Sequence, residues 1–391
     1  MLGKSLDLQF RAGQLDAEQI EEHFQGVRSR IANTLGIGSA EGIIFTSSGV
    51  EAINMAVKGL AWGATESGRN EIVVVEGDPE GFHEAAVWCE RFGFKRVILP
   101  LTSHGLIDPE PLETRITTKT VMVALSSVTP EILVPRELHV LGEHITSVGA
   151  KLVIAIDLEL PIRLPHQAFH HADILTIDGE AIGAPSGTGL LILNSQTENP
   201  NSPVRLAPLI SGGATQNGLR AGSISLSIAM GLSAAIEELS AVTALQVTVA
   251  LGTSADPLWS AACGASADPL WSAAFTILRD AALQAIADHI PGAIIPWVTE
   301  PLPNGITFIV PDVEGEAVVM LCAQEGVFVS TGSACSRTAG KPSAVLTAIG
   351  FIPEEASGAI HLTFRNDHTV DDVRRGVEVI GKAVEKLRGM R

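Results

Sequence analysis

Tyrosine is missing from this 391-residue chain, and aromatic residues make up only 4% of it; that shortage alone excludes no class of function. Basic residues are also scarce. With 26 Lys and Arg against 44 Asp and Glu, the net charge is -18, which argues against nucleic acid or an anionic membrane as the main partner. The four cysteines (Cys89, Cys263, Cys322 and Cys335) form no C-x-x-C pair. That spacing excludes a disulfide framework and a zinc knuckle, and it fits a reducing cytosol, so a cytoplasmic location is expected. The first residues, Met-Leu-Gly-Lys-Ser-Leu-Asp-Leu-Gln-Phe, lack the long apolar stretch of a signal peptide. No run approaches the length of a membrane span. What is present is a soluble globular composition, 46% hydrophobic and 18% charged. The length predicts two or three domains and a core that needs no staples.

Residues 16–35 place Ile20, Phe24, Val27, Ile31 and Leu35 at helical spacing, and Gly36 and Gly38 end the pattern. A short strand, a Ser/Gly turn and a helix then run from Gly42 to Lys58. Such a turn collects backbone N–H groups at a helix N-terminus and suits a phosphate, although the same punctuation is also common in ordinary turns. Apolar runs at 72–76, 97–100, 121–126, 152–157, 174–178 and 190–193 alternate with helical patterns. They predict an α/β large domain with a mainly parallel sheet flanked by helices. Ligands bind beyond the carboxyl ends of such strands, where Asp157 and Asp178 fall. A carboxylate there either pairs with a ring nitrogen or a metal, or caps a helix. Asp157, Asp178 and Glu180 together would suit a hard cation, but no metal site is expected.

Residues 211–224 form a polar Gly-rich loop carrying Arg220, and a helix is predicted over 225–251. At 252–275 the chain repeats itself, with Ser-Ala-Asp-Pro-Leu-Trp-Ser-Ala-Ala in both copies. Asp followed by Pro is a helix start, and two copies are too few for a solenoid, so one copy is expected to add a turn or short helix. The pattern then changes to helix 276–289, strand 305–310, a helix through Cys322, strand 327–330, helix 342–349, strand 359–364 and a helix from Val370, a smaller α+β C-terminal domain. The expected division is an N-terminal segment 1–15 packing on the small domain, a large domain 16–250, the duplicated insertion 251–275 and the small domain 276–391. Cys335 sits in the small-residue loop Ser-Thr-Gly-Ser-Ala-Cys-Ser after strand 327–330, with Arg337 beside it. Access and positive potential are what a reactive thiolate needs, while the same loop read alone also suits an inert cysteine.

These pieces, in this order, resemble a cysteine desulfurase of the pyridoxal-phosphate-dependent class V aminotransferase family. The resemblance rests on 43–59, on His-Gly-Leu-Ile-Asp at 104–108, on Gly-Gly-Ala-Thr-Gln-Asn-Gly-Leu-Arg-Ala-Gly-Ser at 212–223, on Leu-Pro-Asn-Gly-Ile-Thr-Phe at 302–308, on Val-Glu-Gly-Glu at 313–316 and on Ser-Thr-Gly-Ser-Ala-Cys-Ser at 330–336. It implies a fold-type I architecture, a homodimer, and Cys335 as the cysteine that becomes a persulfide and passes sulfur to an acceptor or scaffold. It also implies cofactor contacts from Asp157, from the turn at Gly49 and from Ser223, and substrate contacts from Arg365 and Arg220. The chain departs from the family at the cofactor. The Schiff-base lysine position is Ala181, with Glu180 at the histidine before it, and no lysine occurs anywhere in 152–340. The ring-stacking histidine falls near Pro79. The family's Asn, Gln and phosphate-binding Thr fall on Pro130, Leu160 and Val50, and its substrate-carboxylate Arg falls on Asn366, beside Arg365. An alanine cannot hold an aldehyde cofactor, exchange it with substrate or move protons.

Three functions follow as expectations. The first is a desulfurase-like protein without lyase chemistry of its own, acting through Cys335 in sulfur transfer or iron–sulfur cluster assembly, with a sulfur acceptor or scaffold as partner. The second is an active lyase holding pyridoxal phosphate non-covalently. The third is a non-catalytic structural or regulatory subunit with an inert Cys335.

Overall fold

The computed structural model describes residues 17–136, 138–156, 171–194, 204–250, 269–332, 342–365 and 367–390. Helix α1 (Ala17–Leu35) leads into strand β1 (Ile43–Thr46) and helix α2 (Gly49–Gly63). Strand β2 (Glu71–Val75), helix α3 (Glu80–Glu90) and strands β3 (Lys95–Leu99) and β4 (Thr120–Ser126) follow. Helix α4 (Leu138–Ser147), then strands β5 (Lys151–Ile156), β6 (Ile174–Asp178) and β7 (Gly189–Leu193), complete a seven-stranded sheet in the order β1-β7-β6-β5-β4-β2-β3. The β3, β2, β4, β5 and β6 strands pair in parallel, and β7 runs antiparallel between β6 and β1. The expected mainly parallel sheet is therefore present, with one reversed strand near its edge.

The strands read as continuous apolar runs because both faces are covered, as in β4, where all seven residues are buried. Alternate side chains divide between two cores. Val73, Val75, Val123 and Leu125 pack with Phe24, Val27 and Ile31 of α1. Ile72, Val74, Met122 and Ala124 pack with Ile53, Met55 and Ala56 of α2 and Phe82 of α3. At the carboxyl ends, Arg136 reaches under the sheet's rim to Asp78, with Nη1 donating to Oδ2 at 2.8 Å and both side chains buried.

Helices α5 (Leu226–Ala250) and α6 (Pro269–His289) lead to a second core. There β8 (Gly305–Ile309) pairs antiparallel with β9 (Ala359–Thr363). Helices α6, α7 (Gly315–Gln324) and α9 (Val370–Arg388) enclose Phe308, Ile360, Ile380 and Val384 with Ile286. A short helix α8 (Ala344–Ala348) is capped by Ser343, whose hydroxyl accepts from the Leu346 N–H. The second copy of the duplication does more than add a turn: its Pro269 is the first residue of the 21-residue α6. The first copy lies outside the described residues. The strand expected at 327–330 is not regular. Only Ser330 bridges His361, and Phe328 is 85% exposed, because this apolar run meets a partner strand at one residue alone.

Candidate functional site

The carboxyl ends of β1 and β6 flank the first residue of β7, and the register sets Gly189 opposite both Thr46 and Asp178. A Cβ on Gly189 would lie 2.4 Å from the Ser48 carbonyl carbon, so only glycine lets the 46–49 turn approach this strand. Ser48 caps α2, its hydroxyl accepting from the Glu51 N–H at 3.1 Å. The Ser47 N–H donates to Glu51 Oε2 at 2.6 Å, and the Gly49 N–H donates to Asp178 Oδ2 at 3.1 Å. Two of the N–H groups that the sequence offered to a phosphate, those of Ser47 and Gly49, therefore have carboxylate partners from the chain itself. Asp178 Oδ1 in turn accepts from the Glu180 N–H at 3.0 Å.

Arg220 arrives by way of a side chain that the sequence reading did not single out. Gln216, at φ 50° in a left-handed turn, aligns its amide with the backbone of Phe45. Its Nε2 donates to the Phe45 carbonyl at 3.0 Å, and its Oε1 accepts from the Phe45 N–H at 2.7 Å. One side chain thus covers part of the outer edge of β1 and anchors the Gly-rich loop there. Four residues on, Arg220 Nε donates to Glu51 Oε1 at 3.0 Å. Burial works against a charged Glu51, but the hydrogen bonds from Arg220 and Ser47 and the guanidinium charge outweigh it and hold the carboxyl below the usual range. A periodic pattern carries no signal for Gln216, since its role depends on a strand 171 residues away.

The candidate residues fall into two places. Gly49 is at the α2 turn, while Arg220 and Ser223 line a small cavity of about 130 Å³ beside it, together with Thr46, Thr188 and Ser225. Arg365 is exposed and donates from Nε to Asp367 at 3.3 Å. It shares a cleft of about 1170 Å³ with Ala181, Phe328, His368 and Arg375. Asp157 and Cys335 lie outside the described residues. Elsewhere, Glu131 is half of a link the sequence left unnoticed. It is buried at φ 63°, its Oε2 accepts from the Ser343 hydroxyl at 2.5 Å, and its carbonyl accepts from the Thr307 hydroxyl at 2.6 Å. It joins the sheet's rim to the second core.

Among the described residues, the lysines of the large sheet lie away from its carboxyl end. Lys95 and Lys151 open β3 and β5 at the opposite end, and Lys119 precedes β4. Lys58 lies over the Trp88 ring, Lys382 pairs with Glu378 on α9, and Lys386 is in the last turn of that helix. An aldehyde cofactor held as an imine does not fit this set. Two thiols are also set aside: burial pushes Cys89 and Cys322 up to about 11, so neither is a thiolate near neutral pH. No group of three or more metal-ligating side chains occurs among the described residues, and among them no helix is long and apolar enough to cross a membrane.

The aminotransferase class-V family profile matches residues 9–253. Cysteine desulfurase IscS of Dictyoglomus turgidum is 28% identical over 365 residues, spanning 92% of this chain and 83% of that protein. The mitochondrial cysteine desulfurase of Drosophila melanogaster is 28% identical, covering 95% of this chain and 73% of that one. Among solved structures, a NifS-like protein superposes with a TM-score of 0.75 at 20% identity, over 99% of this chain and 96% of that chain. DndA from Streptomyces lividans gives 0.71 at 21% identity, over 93% and 95%. The seven-stranded sheet with its second α+β core is the fold of these proteins, and by the family match the chain belongs to the class-V aminotransferases, with cysteine desulfurases as its relatives.

Proposed function

We propose that this chain handles sulfur as a desulfurase relative without pyridoxal chemistry of its own. It acts as a homodimer and passes sulfur through Cys335 to an acceptor protein or an iron–sulfur scaffold. One observation carries the reading: the described lysines of the sheet open their strands at the end opposite the carboxyl ends, where the family resemblance calls for an amine and the chain has Ala181. The buried Cys89 and Cys322 support it further: of the four cysteines they leave Cys263 and Cys335, and of these only Cys335 sits in the Gly-Ser-Ala-Cys motif. In the transfer step the Cys335 thiolate attacks the outer sulfur of a donor persulfide. A new S–S bond forms as the donor's S–S bond breaks, and the donor departs as a thiolate. Cys335 is left as the persulfide, with no net oxidation.

The test begins with absorption between about 300 and 500 nm, before and after pyridoxal phosphate and then cysteine are added. The expected outcome is no cysteine-responsive band, together with transfer of labelled sulfur from a low-molecular-weight persulfide onto the protein. Cys335→Ser should abolish that labelling while leaving the circular dichroism unchanged. A band that responds to cysteine, or labelling undiminished in Cys335→Ser, overturns the proposal.

A further inference from the structure

Asp178 belongs to none of the functions above, and its side chain does something unusual for the last residue of a buried strand. It reaches across to the N-terminus of a neighbouring helix 129 residues earlier in the chain and accepts the Gly49 N–H. We infer that Asp178 is an intramolecular replacement for an external anion, so that the α2 turn is closed to a phosphate group. This goes beyond the sulfur-transfer reading and does not depend on Cys335.

The helix is 15 residues long, and the aligned peptide dipoles of such a helix favour negative charge at its start. An incoming phosphate would need the N–H groups of the turn, a supporting cation and room. Three of the N–H groups and the cation are already committed. Asp178 holds the Gly49 N–H, and Glu51 Oε2 holds the Ser47 N–H. The Glu51 N–H goes to the Ser48 hydroxyl. Arg220, the cation beside the turn, is directed at Glu51, with Nε at 3.0 Å from Oε1 and Nη2 at 3.5 Å from Oε2.

Room directly over Gly49 is also lacking, although a small cavity lies beside the turn. A Cβ on Gly49 would come 2.7 Å from the Asp178 Cβ and 2.8 Å from its Oδ2, so the carboxylate packs directly on the bare glycine. It is braced from behind by the Glu180 N–H at 3.0 Å. Two carboxylates, from Asp178 and Glu51, therefore face a ligand that would itself carry negative charge, and like charges at contact distance in a half-buried site repel. A ligand entering here would be uncharged at this end or absent.

The experiment uses the full chain and three probes: inorganic phosphate, pyridoxal phosphate and unphosphorylated pyridoxal. Binding is followed by calorimetry and thermal shift, with pyridoxal as the control for non-specific imine formation on surface lysines. In the wild type, inorganic phosphate should give no saturable signal, and pyridoxal phosphate should bind no more tightly than pyridoxal. Asp178→Ser removes the charge and uncovers the Gly49 N–H. It should tighten pyridoxal phosphate by about tenfold or more, leave pyridoxal unchanged, and make the gain competable by inorganic phosphate. Asp178→Asn, which keeps the shape and removes the charge, should move in the same direction by less, and it serves if the serine variant fails to fold. The inference is overturned if wild type prefers pyridoxal phosphate to pyridoxal by tenfold, or if folded variants gain nothing. Sulfur labelling of Cys335 is untouched by either result, so the two readings fail separately.

Discussion

His83 shows how a single side chain reports its surroundings. It lies on α3 with Nε2 at 3.0 Å from the Val75 carbonyl, which fixes the neutral ring as donor there. Burial lowers its pKa below the ordinary value, and the Arg96 charge adds to this against the pull of Asp78. Because the folded pKa is depressed, the unfolded chain binds the proton that the folded chain refuses as pH falls below about 6.5. The contribution of His83 to stability is therefore complete above that value and declines below it, down to the folded pKa. Thermal unfolding of wild type and His83→Gln between pH 5 and 8 should show a shallower acid decline in the variant. Parallel profiles would contradict the assignment.

At the scale of elements, the carboxyl end of the sheet is held by two close approaches. Where β7 begins, Gly189 admits the Ser48 backbone. Gly189→Ala should cost about 1–3 kcal/mol, the usual penalty of overpacking, read as a lower urea midpoint at unchanged slope. Where β2 and β4 end, Arg136 compensates the fully buried Asp78, which also accepts the Ser126 N–H at 3.0 Å. Arg136→Ala leaves that carboxylate unpaired and should cost about 3–5 kcal/mol. Asp78→Leu combined with Arg136→Met should recover much of the loss in the same urea experiment. A double variant no better than Arg136→Ala would show that geometry, and not the orphaned charge, sets the cost.

Over the whole molecule, a net charge of -18 spread on one chain repels itself. Screening shortens that repulsion, since the Debye length falls from about 30 Å at 0.01 M to about 10 Å at 0.1 M salt. The melting temperature should therefore rise as NaCl increases from about 0.01 to 0.3 M. A flat or falling curve would mean that local ion pairs such as Lys151–Asp173, at 2.8 Å and nearly buried, outweigh the global term. The same negative field favours basic surfaces on any protein partner.

The sequence by itself determined the α/β class, most strand and helix positions and the family resemblance. Strands buried on both faces must be written as unbroken apolar runs, and helices covering them carry their own period. Its limits have a common cause. The run at 327–330 looked like a strand because β-branched and aromatic residues say nothing about whether a partner edge is available. The Ser/Gly turn could be read either as a phosphate site or as an ordinary turn, because sequence shows the donors and not their acceptors. Only the tertiary structure brought Asp178 to Gly49, Arg220 to Glu51 and Gln216 to Phe45, pairs separated by 129 to 171 residues. Local propensity reaches a few residues along the chain, whereas the charge and hydrogen bonding of this site are decided by which loops the sheet order sets side by side.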